Sequence, residues 1–371
     1  MNTEKRIFPM ASVDPGSLEA LGWSAFFQAH RNQLCDAAQM PARIVGVRKN
    51  SFYVRQGKDE RLARAAGRLL HRDGGLYPVV GDWVVLDDTV ITAVLPRRNA
   101  LSRGAAGARC KPDALPRQEQ VLAANLDTVF VVCGLDRDFN LRRIERYLTL
   151  VYNCALTPVI VLTKADLHPD PEPFVNQVEA VAVGVPVHTV SAGEMAGLTR
   201  LEGYLSRGRT ITLMGSSGAG KSTLVNRLCG EAVQATNSIS ARIGKGMHTT
   251  TSRDLIMMPQ GGMLIDNPGI REISFWDIDG GMEIAFADVE MLASACRFSD
   301  CSHLHEPGCR VRRAVVEGEI APDRLESYRK MKRELQFLAD RQHKSAALIE
   351  KERWKPVAAA VKVIRKSKWR K

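Results

Sequence analysis

No apolar run in the 371-residue sequence approaches the ~20 residues that a helix needs to cross a bilayer. Its first residues, MNTEKRIFPMASVDPGS, lack the apolar stretch of a signal peptide. Both absences point to the cytoplasm and away from a membrane. Cysteine is scarce and unevenly placed. Of the eight, Cys35, Cys110, Cys133, Cys154 and Cys229 are scattered, whereas Cys296, Cys301 and Cys309 crowd into one short segment. That usage argues against a disulfide framework and suits a metal site. Most of the chain also lacks a charge surplus. Residues 310–371 hold 19 Lys and Arg against 8 Asp and Glu, an excess equal to the whole net charge of +11. The basic tail implies a polyanionic partner, nucleic acid rather than a membrane, because no strong amphipathic face carries bulky apolar residues.

The length implies two or three domains. Residues 1–40 form an N-terminal extension with one short helical stretch, LGWSAFFQAH. Residues 41–100 carry short strands (ARIVGV, SFYVRQ, GDWVVLDD, TVITAVLP) broken by Gly, Asn and Asp, the pattern of a small barrel of the oligonucleotide-binding (OB) type. Residues 101–122 show no apolar periodicity and read as a basic linker. Residues 123–278 alternate strands and helices, beginning with the buried strand TVFVVCG and a helix with Leu141, Ile144, Leu148 and Val151 on one face. Such alternation specifies a parallel sheet covered by helices on both sides. Residues 279–371 read as a helical domain around the Cys cluster, ending in the basic tail.

Two motifs in the α/β segment point to one ligand. GSSGAGKS, Gly215 to Ser222, matches G-x-x-x-x-G-K-[ST] between an apolar strand and a helical run. Gly215, Gly218 and Gly220 let the backbone wrap phosphates, with amides from Ser216, Ser217 and Ala219. Lys221 places a charge on the β and γ groups, as a catalytic as well as a binding residue, and Ser222, with Thr223 beside it, offers a hydroxyl to Mg²⁺. TKAD, Thr163 to Asp166, ends a strand. The Asp166 carboxylate can accept guanine N1–H and the exocyclic amine together, while the stem of Lys164 covers the base plane; adenine presents the opposite pattern. TVSA ends the next strand, with Ser191 and the amide of Ala192 placed for guanine O6. DNPG follows, with Asp266 for Mg²⁺ and the Gly269 amide for the γ-phosphate. In the loop GKGMHTTTSRD, Thr249, Thr250 and Thr251 each offer a second Mg²⁺ hydroxyl, Thr250 being preferred.

The base-reading loop therefore precedes the phosphate loop, a circular permutation of the usual GTPase order. The site tolerates this because every loop lies at the C-terminal ends of parallel strands, where position in space matters and connectivity does not. CRFSDCSHLHEPGC supplies Cys296, Cys301, His303 and Cys309 at C-x4-C-x-H-x5-C spacing, three thiolates and an imidazole for a closed tetrahedral Zn²⁺ shell. His305 is a rival to His303.

With a small barrel before the permuted motifs and a Cys/His cluster after them, residues 40 to about 355 resemble the RsgA (YjeQ, EngC) family of circularly permuted GTPases, which act in late maturation of the small ribosomal subunit. The resemblance favours His303 over His305 as the ligand. It implies GTP hydrolysis to GDP and phosphate, stimulated by the 30S subunit, with 16S rRNA as partner and the protein a monomer. Ile270 stands where many GTPases carry a water-orienting Gln, so unaided hydrolysis should be slow. The resemblance assigns that task to His248. An rRNA-binding scaffold using GTP mainly as a conformational ligand is the rival reading, and an ATP-using P-loop enzyme is a second.

Overall fold

The computed structural model describes residues 17–34, 39–48, 51–70, 77–104, 119–191, 196–230, 253–266 and 280–343. A 3-10 turn (Glu19–Leu21) and helix α1 (Ala25–Leu34) precede five strands: β1 (Pro41–Arg48), β2 (Ser51–Gln56), β3 (Asp59–Ala65), β4 (Trp83–Asp87) and β5 (Val90–Val94), with α2 (Gly67–Leu70) between β3 and β4. They pair in the order β1-β2-β3-β5-β4, and β4 returns to β1, closing a barrel in which β3–β5 is the one parallel pair. Ile44, Phe52, Val54, Val84 and Ile91 point inward and are fully buried. This is the Greek-key barrel that the strand spacing predicts.

The stretch expected as a linker contributes two strands. Strands β6 (Ala100–Gly104) and β7 (Glu119–Ala124) pair antiparallel, and Leu101 and Leu122 are buried in the main core.

Among the described residues six strands form the second layer: β8 (Thr128–Gly134), β9 (Pro158–Thr163), β10 (Val187–Thr189), β11 (Thr210–Met214), β12 (Arg253–Met257) and β13 (Met263–Asp266). Their order is β10-β9-β8-β11-β13-β12, parallel except for β12. Period-two alternation divides β8 between two cores. Val129 and Val131 pack with Ile144, Leu148 and Val178, on the side of α3 (Leu141–Asn153) and α4 (Glu172–Val181). Phe130 and Val132 pack with Leu201, Leu224 and Leu228, on the side of α5 (Ala196–Glu202) and α6 (Lys221–Cys229).

Barrel and α/β layer are one continuous sheet. The outer edge of β12 pairs antiparallel with β1, Gly46 opposite Asp254 and Val47 opposite Arg253. Arg48 Nη2 meets both carboxylate oxygens of Asp254 at 2.7 Å. Arg43, fully buried, donates to the Leu21 carbonyl, to Gly81 O at 3.3 Å and to Asn125 O at 3.2 Å. Burial pushes its pKa down to about 10, so it stays charged at neutral pH and ties the N-terminal turn, the barrel and the start of the α/β layer together.

Four further helices follow among the described residues: α7 (Gly281–Ala285), α8 (Ala287–Ala293), α9 (Arg310–Val316) and α10 (Pro322–His343). Gly281 allows α7 to abut α3: a Cβ there would lie 2.2 Å from Asn153 Oδ1. Arg324 on α10 reaches Glu145 Oε1 at 2.6 Å, Asp288 Oδ1 at 2.8 Å and Ala285 O at 2.8 Å, and Ser327 Oγ donates to the second oxygen of Glu145. Burial pushes the Glu145 carboxyl up, and Ser327 and Arg324 pull it back. Replacing Arg324 by Ala strands a buried carboxylate. Arg324→Ala should therefore cost about 3–5 kcal/mol in the urea transition of the C-terminal helices. Arg142→Ala, whose partners Asp323 and Glu326 are exposed, should leave that transition nearly unmoved. Equal effects would show that α10 docks through its surface charges. Among the described residues no helix is long and apolar enough to cross a membrane.

Candidate nucleotide site and metal cluster

The C-terminal ends of β9, β10, β11 and β13 converge at one edge of the sheet, and the motif residues stand there. Strand β9 ends at Thr163, and Lys164 follows in the left-handed region, φ 59°, which turns the chain sharply into the 3-10 turn Ala165–Leu167 carrying Asp166. Ser191, just past β10, donates its hydroxyl to Asp166 Oδ1 at 2.7 Å. That bond fixes the plane of the carboxylate, and each oxygen keeps lone pairs for a ligand.

The phosphate loop closes onto these residues. Thr163 Oγ1 donates to Ala219 O at 2.6 Å, joining the end of β9 to a loop 56 positions away. Gly220, at φ 87°, lies so near that a Cβ would sit 3.1 Å from Thr163 Oγ1, and at Gly215 a Cβ would sit 2.3 Å from Val132 O. Only glycine satisfies both backbone and space at Gly220. Lys221 Nζ lies over the loop, donating to Gly215 O at 2.8 Å and to Ser216 O. Ser222 and Thr223 occupy the first turn of α6, where unpaired amides and the helix dipole favour anions. A cavity of about 230 Å³ is lined by Thr163, Lys164 and Ser191 on one side and Gly220, Thr223 and Leu224 on the other.

Asp266 ends β13, beside β11. Burial, reinforced by Asp254, pushes its carboxyl up, and Lys221 pulls it down, so the two motif residues act on each other electrostatically. A cation at this edge would favour the ionised form. The structure thus gathers Thr163, Lys164, Asp166 and Ser191, the loop Gly215 to Thr223, and Asp266. Ala192, His248, Thr249, Thr250, Thr251, Gly269 and Ile270 lie outside the described residues. Reading the sequence missed Asp136 and Asp138, which touch Lys164 and Ser216. The available signal was a pair of carboxylates just past a buried strand, at the edge where α/β sheets bind ligands.

Some distance along the chain, Cys296, Cys301, His303 and Cys309 bring their ligand atoms within 4.8 Å of one another. Cys296 Sγ lies 3.9 Å from Cys309 Sγ and 3.7 Å from His303 Nδ1, and Cys309 Sγ lies 3.5 Å from His303 Nδ1. Ligands on a tetrahedral Zn²⁺ with arms of 2.0–2.3 Å stand roughly 3.5–3.8 Å apart, so the set can hold such an ion through Nδ1. His305 is not in the cluster. Burial pushes the Cys301 thiol up to about 11 and the His303 imidazole down. A neutral imidazole is ready to ligate, whereas buried thiols need a cation to remain thiolates. Cys309 also caps α9, its Sγ accepting from Arg312 N at 3.4 Å.

Comparison with known proteins follows the same lines. Residues 94–276 match the family profile described as RsgA GTPase, and residues 210–349 match one described as 50S ribosome-binding GTPase. The second match opens at Thr210, the first residue of β11, which leads into the phosphate loop. The small ribosomal subunit biogenesis GTPase RsgA of Opitutus terrae is 42% identical over 358 residues, covering 92% of this chain and 96% of that protein. The protein of that name from Methanosarcina acetivorans is 46% identical over 298 residues, 79% of each chain. The crystal structure of YjeQ from Thermotoga maritima superposes with a TM-score of 0.57 at 29% identity, covering 80% of this chain and 99% of that one. YloQ, a circularly permuted GTPase, does so with a TM-score of 0.56 at 23% identity, over 81% and 96%, and supports the fold. With the TKAD and GSSGAGKS loops joined in permuted order, the chain belongs to the RsgA family of circularly permuted GTPases and is a GTP hydrolase.

Proposed function

We propose that the protein hydrolyses GTP to GDP and phosphate, slowly alone and faster on the small ribosomal subunit, in the maturation of that subunit. The observation that carries this reading is the hydrogen bond from Thr163 to Ala219, which makes one cleft of the base-reading and phosphate loops. Asp166 would accept from the guanine edge while Ser191 holds it in plane, and Lys164 would lie against the base. The amides of residues 215–220 and the Lys221 ammonium would take the phosphates, with the Ala192 amide on guanine O6 and the Gly269 amide near the γ-phosphate. Ser222, Asp266 and Thr250 would hold Mg²⁺, which supplies charge neutralisation between the β and γ groups. His248 would orient the attacking water in place of the Gln that Ile270 replaces.

In the same reading, Cys296, Cys301, His303 and Cys309 hold one structural Zn²⁺, the partner is the 30S subunit with its 16S rRNA, and the protein works as a cytoplasmic monomer with no membrane association. Support comes from relatives named as small-subunit biogenesis GTPases and from the basic tail. The test is GTP turnover with and without purified 30S subunits. We expect stimulation of at least tenfold. His248→Ala should lose about 10²-fold in stimulated kcat, the weight of a positioned proton-transfer or water-orienting group, with GTP affinity unchanged. Turnover indifferent to subunits would leave GTP as a conformational ligand of a scaffold. Unaltered stimulated turnover in His248→Ala would remove His248 from the mechanism.

A further inference from the structure

The loop between β8 and α3, Leu135 to Asn140, belongs to none of the motifs above, yet it touches both halves of the nucleotide cleft. Asp136 Oδ2 accepts from Lys164 Nζ at 2.6 Å, and Asp138 Oδ1 accepts from Ser216 Oγ. The surroundings hold both contacts in place. The Lys164 stem runs past Gly134, where a Cβ would lie 3.4 Å from Lys164 Cδ and Cε and 2.8 Å from Asp136 Oδ1. A side chain there would push the lysine away. Asp136 Oδ1 accepts from Asp138 N at 3.1 Å. The Lys164 ammonium, and then that amide, draw the Asp136 carboxyl below the usual range. Asp138 is fixed in turn by Gly134 N at 3.3 Å and Arg143 Nη2 at 2.7 Å. Asn140 caps α3 by accepting from Arg143 N at 3.0 Å. The loop is therefore fastened to a helix buried against the sheet, and from that base its two carboxylates reach a long cation and a loop hydroxyl.

We propose that Asp136 and Asp138 are positioning residues of the nucleotide site: Asp136 holds the Lys164 stem where the base plane lies, and Asp138 holds the crest of the phosphate loop through Ser216. The proposal rests on reading the cleft as a guanine-nucleotide site. Folding stability does not explain the Asp136 pair, since both side chains are about a third exposed and such pairs contribute little to the fold. Binding explains it better. Lysine is among the side chains with most rotamer freedom to lose, and tethering its ammonium removes that loss from the binding step. The stem, not the charge, meets the base, so the ammonium is available to Asp136 throughout.

The test uses the full-length protein titrated with the fluorescent nucleotide mant-GDP. Asp136→Ala should weaken binding about 3- to 10-fold, the range for ordering one long side chain, with the change in the dissociation rate and no shift in the thermal midpoint. In a Lys164→Ala background, adding Asp136→Ala should change nothing further, because the group it positions is gone. Asp136→Asn, whose amide oxygen still accepts from the ammonium, should recover part of the loss. Asp138→Asn and Ser216→Ala should likewise fail to add. Additive effects in both cycles, or an unaltered dissociation rate in Asp136→Ala, would overturn the proposal. Failure of the unsubstituted protein to bind mant-GDP would strike the guanine-site reading instead, and the two results are distinct.

Discussion

Asp166→Asn should change the base that the cleft accepts, with GTP affinity falling by roughly 10³- to 10⁴-fold and xanthosine triphosphate binding in its place. The carboxylate is acceptor-only and, in the proposed reading, would meet two adjacent donors of guanine, N1–H and the 2-amino group. An amide of the same size offers one acceptor and one donor. Against guanine it sets donor on donor and would leave that polar pair unmet beneath the bound base. Xanthine carries a carbonyl where guanine carries the amine, so its edge pairs with the amide. The exchange is nearly isosteric, and the amide oxygen can still accept from Ser191 Oγ, which holds Asp166 at 2.7 Å. Competition of GTP, xanthosine triphosphate and ATP against mant-GDP measures this directly. An Asn variant that keeps GTP affinity within tenfold would show that Asp166 does not read the base, and effective competition by ATP in the unsubstituted protein would restore the ATP-enzyme reading.

What was legible in the sequence had a local cause. TVFVVCG announces a buried strand because every residue in it can be apolar, and β8 is buried end to end. The phosphate loop is legible because its glycines answer a backbone demand seen at Gly218 and Gly220, both at positive φ. The permutation could be read from motif order alone, since each loop follows its own strand. Pairings between distant edges were not legible. Nothing in ARIVGV or RDLIM names the other, yet β1 and β12 are neighbours, and the barrel joins the sheet through them. Arg43 gave no warning either, because its partners are backbone carbonyls, which every residue possesses. The β6–β7 pair was hidden by the polar residues between two short strands. The choice between His303 and His305 was likewise not settled by spacing; it needed the backbone, where His303 turns at φ 57° and is buried among the thiols.

The largest stability effect is expected at the metal cluster. Between α8 and α9 the chain runs from Ser294 to Cys309 without helix or strand. Phe298 and Leu304 there are exposed, while Cys301, His303 and Cys309 are buried. So the inside of this segment is made of these Cys and His side chains, and with few apolar groups to bury it depends on them for its structure. The proposed Zn²⁺ would supply folding free energy of the order of 10–16 kcal/mol found for small structural zinc sites. Cys309→Ala removes a ligand and the cap of α9 together, and Ala cannot replace either. We expect zinc content to fall from one per chain toward zero and trypsin to cut rapidly at Arg297. Helices α9 and α10 should loosen as well, because His303 packs against Tyr328 with ring centroids 6.1 Å apart. The nucleotide cleft should survive: its contacts lie on β8, β9 and β11, whose core residues pack with α3 to α6, so mant-GDP affinity should stay within a few fold. Unsubstituted protein stripped of zinc by a strong chelator should show the same cleavage and recover on adding Zn²⁺. Resistance at Arg297 in metal-free protein would mean that the three thiols and the imidazole pack without an ion, and the cluster would then be part of the core rather than a metal site.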